Sequence, residues 1–239
     1  KELKLNINDI NLYRENCLFI LIKEISSICS ITGDLILVKE IFELLLMNQI
    51  NINQIDWKGN TMFLELAKLH FNVDLLTLLS ANGADVNKCN KLDENALIYY
   101  VRQKQTDKVR ILLNDFKVNI NAQNIKKRTC MHYLYNDETT STNMDESLSD
   151  LLLSQNPNLN IHDISGRTPL HYLFIKINKD FESSQIDPIS SLTKLLEYGN
   201  VDIHAVDIYG NSALHYAAQR GSTISMLTLF EQKVNIDLL

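Results

Sequence analysis

One nine-residue block recurs along the chain and limits what the chain can fold into. In its fullest form it runs from Asp163 to His171, reading Asp-Ile-Ser-Gly-Arg-Thr-Pro-Leu-His. Weaker copies run from Asp56 to Leu64, Asn90 to Ile98, Asn124 to His132 and Asp207 to His215, and a degenerate one begins at Asn11. The Asp and the Gly predict a tight turn, because Gly166 can take a backbone angle that a residue with a Cβ resists. Thr168 then reads as a helix cap with Pro169 at the first helical position, where the N–H that proline lacks would have no intrahelical partner. The block is a turn leading into a helix, and the spacing of its copies sets the architecture.

Starts at 56, 90, 124, 163 and 207 are separated by 34, 34, 39 and 44 residues, and Asn11 precedes the first of them by 45. A base period near 33 with insertions predicts stacked supersecondary repeats. The repeats read 11–55, 56–89, 90–123, 124–162, 163–206 and 207–239, with 1–10 as the tail of a preceding one. Before each start lies an alternating tail, as in Ile50-Asn51-Ile52-Asn53, Val118-Asn119-Ile120-Asn121 and Leu159-Asn160-Ile161-His162, which predicts one arm of a short hairpin. Between turn and tail lie two amphipathic helices. In the second repeat Leu64, Leu66 and Ala67 mark the first, and Leu75, Leu76, Leu78 and Leu79 the second, which closes at Asn82-Gly83.

Three insertions, Ser26 to Thr32, Asn136 to Glu146 and Lys179 to Pro188, are predicted to separate the two helices of their repeats and so to lengthen one edge of the array. The polar run Asn136 to Asn143 is expected to be mobile, and Phe181 and Ile186 to fold the last insertion back onto its helices. Asp93 and Lys127 stand where the turn usually has Gly, so those two turns are expected to be distorted or slightly strained.

The period, the turn plus two helices, Thr168-Pro169-Leu170-His171 and Ser212-Ala213-Leu214-His215-Tyr216-Ala217-Ala218 together resemble the ankyrin-repeat family. The resemblance implies an all-α fold with short β-hairpin turns, an ankyrin-repeat solenoid of about six repeats. A narrower resemblance joins Gly166 to Tyr172, Ile186-Asp187-Pro188-Ile189 and Asn211 to Ala218. That pattern is similar to the ankyrin region upstream of the catalytic domain in some poly(ADP-ribose) polymerases. It implies an alternative, that the chain is the targeting or regulatory part of an NAD-dependent ADP-ribosyltransferase whose catalytic domain lies outside this segment. Neither end carries the polar cap that closes a repeat array, so a segment of a longer protein is expected.

Composition and spacing give no support to an enzyme. At 239 residues, 45% hydrophobic and 22% charged, the chain can bury a core. Cys17, Cys29, Cys89 and Cys130 lack the paired spacing of a zinc site or a disulfide framework, which fits a reducing cytoplasmic or nuclear setting. The apolar run around Leu18 to Ile22 is broken by Lys23 and Glu24 and is too short to span a bilayer. His132, His171 and His215 share one position of the block, which predicts a ladder of hydrogen bonds to the turns of neighbouring repeats rather than a metal site. Cys130, His132 and Asp163 resemble a nucleophile, a base and an acid, but no oxyanion site or orienting group accompanies them. Cys130 is predicted to be a small buried residue. No catalytic residue, cofactor or metal is expected.

A surface remains. In ankyrin arrays the turn tips and the exposed side of each first helix line the face that recognises protein partners, and that is what the resemblance implies here. The candidate partner-binding residues are Trp57, Lys58, Lys68, Lys91, Arg102, Lys126, Arg128, Arg167, Lys176, Tyr209 and Arg220. Nine of the positions on that face are Lys or Arg, and only Glu94 and Asp137 are acidic, on a chain of formal charge −6. The bias predicts a protein partner with an acidic or phosphorylated segment. A merely solvated face, or a phosphate backbone of nucleic acid or poly(ADP-ribose), are the alternatives. Trp57 and Tyr209 read as anchors. Ile125, Ile164 and Ile208 share the first tip position and are predicted to pack tip against tip. Neither a membrane nor a nucleic acid is the expected partner, and the expected state is a monomer.

Overall fold

A computed structural model describes residues 6–32, 35–70, 72–135, 146–175 and 188–232. Among the described residues the helices come in six pairs, each entered through one copy of the block. The pairs are α1 (Cys17–Thr32) with α2 (Leu35–Met47), α3 (Met62–Leu69) with α4 (Val73–Ala81), α5 (Ala96–Arg102) with α6 (Thr106–Asn114), α7 (Cys130–Tyr135) with α8 (Glu146–Ser154), α9 (Pro169–Phe174) with α10 (Ile189–Tyr198), and α11 (Ala213–Arg220) with α12 (Thr223–Glu231).

The chain divides into two compact units, Lys1–Tyr99 with Ile111–Val118, and Tyr100–Arg110 with Asn119–Leu239. In the first, α1 packs on α3 and α2 on α4, and each first helix also packs on its own second helix. Leu18, Phe19, Ile22, Phe42, Phe63 and Leu66 are buried there, with Phe63 edge-on to Phe116 at 5.4 Å. In the second, α7, α9 and α11 pack in a row, and α10 lies against both α9 and α12. Met131, Leu152, Leu170, Leu192, Leu195, Leu214 and Leu229 form its core. Each such side chain contributes roughly 1.5–3 kcal/mol on burial, so these rows of helices carry the stability of each unit.

All six turns have one geometry. The amide of the fourth residue donates to the carbonyl of the first: Arg14 to Asn11 (2.9 Å), Gly59 to Asp56 (3.0 Å), Asp93 to Asn90 (3.1 Å), Lys127 to Asn124 (2.9 Å), Gly166 to Asp163 (2.9 Å) and Gly210 to Asp207 (3.0 Å). The first residue's Oδ1 accepts the amide of the fifth, Glu15, Asn60, Glu94, Arg128, Arg167 or Asn211, at 2.8–3.0 Å. Only an acceptor oxygen is needed there, which is why Asn11, Asn90 and Asn124 replace Asp without changing the turn.

The turns at Asp93 and Lys127 are therefore undistorted in their hydrogen bonding, and of distortion and slight strain it is the strain that is found there. Both residues take the left-handed backbone that glycine takes elsewhere, with φ of 64° and 56° against 73° at Gly166. The strain stays in that one angle, at about 1–2 kcal/mol per residue, and the hydrogen bonds are kept. Gly166 is constrained twice over, since a Cβ there would also stand 3.1 Å from the Ile208 nitrogen.

The tails alternate for a reason other than strand pairing. Among the described residues the only bridges are isolated ones, Ile55 with Thr61 and Val206 with Ser212. Instead the first polar residue of each tail accepts the amide two residues on, Asn53 to Asn51 (3.2 Å), Asn87 to Asp85 (3.0 Å), Asn121 to Asn119 (2.9 Å), Asn160 to Asn158 (3.0 Å) and His204 to Asp202 (2.9 Å). These are Asx turns, in which a side chain replaces a strand partner. The fifth tail thus starts at Asn158, two residues earlier than its alternation suggests. The second polar residue bridges to the next repeat: Asn53 Oδ1 accepts from the Asp85 amide at 2.9 Å, and Asn160 Oδ1 from the Asp202 amide at 2.8 Å.

The first insertion is not a connection. Helix α1 continues through Ser26 to Thr32, a run with no Pro or Gly before Gly33 and with apolar residues still spaced at Ile25, Ile28 and Ile31. The loop Asn136 to Asn143, and Phe181 and Ile186 of the last insertion, lie outside the described residues.

Candidate partner-binding surface

The turn tips are tied together by their backbones. The amide of the second turn residue donates to the carbonyl of the third residue in the preceding repeat, Trp57 to Tyr13, Lys91 to Lys58, Ile164 to Lys126 and Ile208 to Ser165, each at 3.0 Å. The side chains at these tips are left outside. Ile125, Ile164 and Ile208 are 72%, 58% and 65% exposed, so they do not pack tip against tip; at Ile164 and Ile208 the backbone amides already make that contact. Tyr209 is also exposed.

In the first unit Trp57, Lys58 and Lys91 come together. Trp57 is half exposed, the Lys58 ammonium lies 5.1 Å from its ring centroid, and Lys91 Nζ donates to the Trp57 carbonyl at 2.8 Å. Lys68 is held differently, 3.1 Å from Glu94 and 4.8 Å from the centre of the Tyr99 ring. Glu94, one of the two acidic positions on the expected face, thus neutralises Lys68.

In the second unit Arg102 is exposed with its Cζ 5.7 Å from the Tyr133 ring centroid, and Lys126 is exposed at a tip. Arg220 donates from Nη1 to the Leu173 carbonyl at 3.1 Å. Lys176 and Asp137 lie outside the described residues.

Arg128 and Arg167 enter a repeated network. Asp163 Oδ1 accepts the Ser165 and Arg167 amides (2.8 and 3.0 Å), and its Oδ2 accepts the Tyr172 hydroxyl (2.6 Å) and Arg128 Nε (3.2 Å). Asp207 repeats the arrangement with the Tyr209 and Asn211 amides (both 2.9 Å), the Tyr216 hydroxyl (2.6 Å) and Arg167 Nε (3.5 Å). Burial alone would raise the Asp163 pKa, but the hydrogen bonds from Tyr172, the two amides and Arg128 outweigh it and hold the carboxyl below its ordinary range. The same balance lowers Asp207. Burial, and then the bond to Asp163, push the Tyr172 hydroxyl up, so it stays a donor.

The tyrosines were the unread part of the sequence. Tyr99, Tyr133, Tyr172 and Tyr216 each stand nine residues after their turn's first residue. That regular spacing is the signal that could have revealed them.

The histidine ladder is present. The Thr129 and Thr168 amides donate to Nδ1 of His132 and His171 at 3.0 and 3.1 Å, and the Nε2 atoms lie 3.1 and 3.2 Å from the carbonyls of Arg167 and Asn211 in the next turn. The Ser212 amide donates to His215 Nδ1 at 3.1 Å. Both nitrogens of His132 are thereby engaged, and burial pushes its pKa down to about 4. Cys130 is buried with its thiol donating to the Ile120 carbonyl, and burial pushes it up to about 12. Cys130, His132 and Asp163 therefore have structural partners and form no nucleophile with its base.

Residues 188–231 match the family model described as ankyrin repeats in many copies. Two solved structures are similar. One is EF0377, an ankyrin repeat protein, at 20% identity and a TM-score of 0.60 over 82% of this chain and 90% of that one. The other is the ankyrin repeat domain of Bcl-3, a member of the IkappaB protein family, at 19% identity and a TM-score of 0.62 over 92% of this chain and 86% of that one. None of the curated protein sequences compared with the chain matches it. At these identities the likeness establishes the fold, and the chain has the ankyrin-repeat fold. Among the described residues no helix is long and apolar enough to cross a membrane.

Proposed function

We propose that the chain is a non-catalytic protein-interaction scaffold that receives a partner segment on its turn tips and first helices, with an acidic segment preferred. The observation that carries this reading is the set of apolar tips in the second unit, Ile125, Ile164, Ile208 and Tyr209, exposed by 58–72% on hydrogen-bonded turns, two of which are tied to the preceding tip by the Ile164 and Ile208 amides. Side chains in such places add nothing to the core, and a rigid platform loses little freedom when a partner docks. In the first unit Trp57, with Lys58 and Lys91 against it, offers an amphipathic anchor beside positive charge. The scaffold is read as a monomer of the cytoplasm or nucleus.

Selection of displayed random peptides against the full chain tests this. Enriched peptides should share acidic and apolar positions. They should lose binding to a chain carrying Trp57→Ala, Ile125→Ser, Ile208→Ser and Tyr209→Ala that melts like the parent. No enrichment, or equal binding to that variant, overturns the reading.

A second reading makes the array the targeting region of an ADP-ribosyltransferase. It rests on the resemblance of Gly166 to Tyr172, Ile186-Asp187-Pro188-Ile189 and Asn211 to Ala218. A transferase signature in sequence following Leu239 would support it, and a transcript with none would remove it.

A further inference from the structure

Arg128 and Arg167 are each anchored by one nitrogen only. Nε of Arg128 is on Asp163 and Nε of Arg167 on Asp207 and the Tyr216 hydroxyl, while their Cζ atoms lie 5.0 and 5.5 Å from the Tyr172 and Tyr216 ring centroids. Neither Nη1 nor Nη2 of either arginine has a partner among the described residues. None of these nitrogens is among the buried unpartnered atoms, and the two side chains are 20% and 23% exposed, so the Nη edges open to solvent.

The two aspartates cannot take these edges. A carboxylate offers about four acceptor positions. In Asp163 they are filled by Ser165, Arg167, Tyr172 and Arg128, and in Asp207 by Tyr209, Asn211, Tyr216 and Arg167. Each guanidinium thus lies over a tyrosine ring, is pinned at Nε and keeps a planar two-nitrogen fork that its own ion pair does not use. A fork fixed before binding loses little entropy on binding, and it matches two oxygens of one planar anion.

On the scaffold reading above, we propose that Arg128 and Arg167 form a tandem clamp for two carboxylate side chains of one extended peptide. The carboxylate is favoured over phosphate by charge. Each arginine is already paired with an aspartate 3.2 or 3.5 Å away, so the fork presents hydrogen bonds with little net charge, which suits a monoanion and disfavours a dianion facing that aspartate. The spacing follows from packing. The two arginines hold the same turn position ahead of α7 and α9, which pack directly, and packed helices lie about 8–10 Å apart. An extended left-handed chain rises about 3.1 Å per residue with three residues per turn, so carboxylates at i and i+3 share a face roughly 9 Å apart.

The test uses the full chain and a fluorescein-labelled proline-rich decapeptide with two glutamates three residues apart, read by anisotropy. Replacing both glutamates by glutamine, or moving them next to each other, should weaken binding by about tenfold or more. A chain carrying Arg128→Lys and Arg167→Lys keeps both charges but loses both forks, and should lose the same factor while melting within a few degrees of the parent. A two-phosphoserine version should bind no tighter than the glutamate peptide. Binding that ignores spacing or the lysine pair, or a phosphopeptide about tenfold tighter, overturns the clamp. If display-selected peptides bind while the glutamate peptide does not, the clamp falls and the scaffold stands; if neither class binds, both fall.

Discussion

Nε2 of His132 lies 3.1 Å from the carbonyl oxygen of Arg167, a turn residue of the next repeat. With Nδ1 accepting the Thr129 amide at 3.0 Å, the ring proton sits on Nε2 and donates to that carbonyl, and the ring must stay neutral. Burial lowers the pKa of His132 from 6.5 to about 4 and also lowers that of His171. A group whose folded pKa lies below its unfolded one contributes in full above pH 6.5 and loses its contribution as the pH falls through 6.5 toward 4. For His132 that contribution is roughly 3 kcal/mol. The melting temperature should therefore drop below pH 6.5, and drop less in His132→Leu, the residue found at the equivalent Leu64. An unchanged pH slope in that variant would show that the ladder is not the acid-sensitive element.

Tyr172→Phe removes the 2.6 Å bond to Asp163 and leaves one acceptor of a buried carboxylate unfilled. The loss should be about 1–3 kcal/mol at neutral pH by denaturant titration. The Asp163 pKa should also rise. Because a depressed carboxyl contributes stability above its unfolded pKa and loses it on acidification, the variant should also lose less than the parent on going from pH 6 to pH 3.

Gly166→Ala and Lys127→Gly should act in opposite directions. The first forces a Cβ into a left-handed residue and to 3.1 Å from the Ile208 nitrogen, and should destabilise by about 2 kcal/mol or more. The second releases a lysine from φ 56° and should stabilise by up to about 1 kcal/mol, since added freedom in the unfolded chain offsets part of the gain. Equal melting temperatures for both would show that the backbone angle carries no strain.

Asn160 accepts the Asp202 amide at 2.8 Å and donates to the Asn200 carbonyl at 2.7 Å. Asn160→Ala should cost about 1 kcal/mol and speed hydrogen exchange at the Asp202 amide specifically. Exchange that rises evenly across the chain would instead mean global loss of stability.

Ile164→Ser should leave stability within about 0.5 kcal/mol, because the side chain is 58% exposed and the tip contact is made by its amide. Binding of display-selected peptides should weaken. A large drop in stability would assign the isoleucine tips to packing.

The turn-and-helix rhythm was legible in the sequence because its causes are local. An acceptor at the first turn position, a left-handed fourth residue and a cap before the helix act within nine residues, and Asn11 obeys them as fully as Asp163. Local propensity did not reveal that the tails are Asx turns, since alternating Asn and apolar residues fit a strand equally well until each Asn finds the amide it accepts. The run of α1 through the first insertion was legible in local terms, from the spacing of Ile25, Ile28 and Ile31 with no Pro or Gly between them, although the extra length reads equally as a connection. Charge along the sequence suggested a basic face, but only the tertiary structure decided how its cations are held and which of their atoms are taken. Lys68 meets Glu94, Arg128 meets Asp163 and Arg167 meets Asp207, each across a repeat boundary. The sequence thus determined the repeating unit, whose interactions close within a few residues. The stacking of repeats decided which side chains remain available to a partner, because contacts 26 to 40 residues apart exist only once the helices are packed.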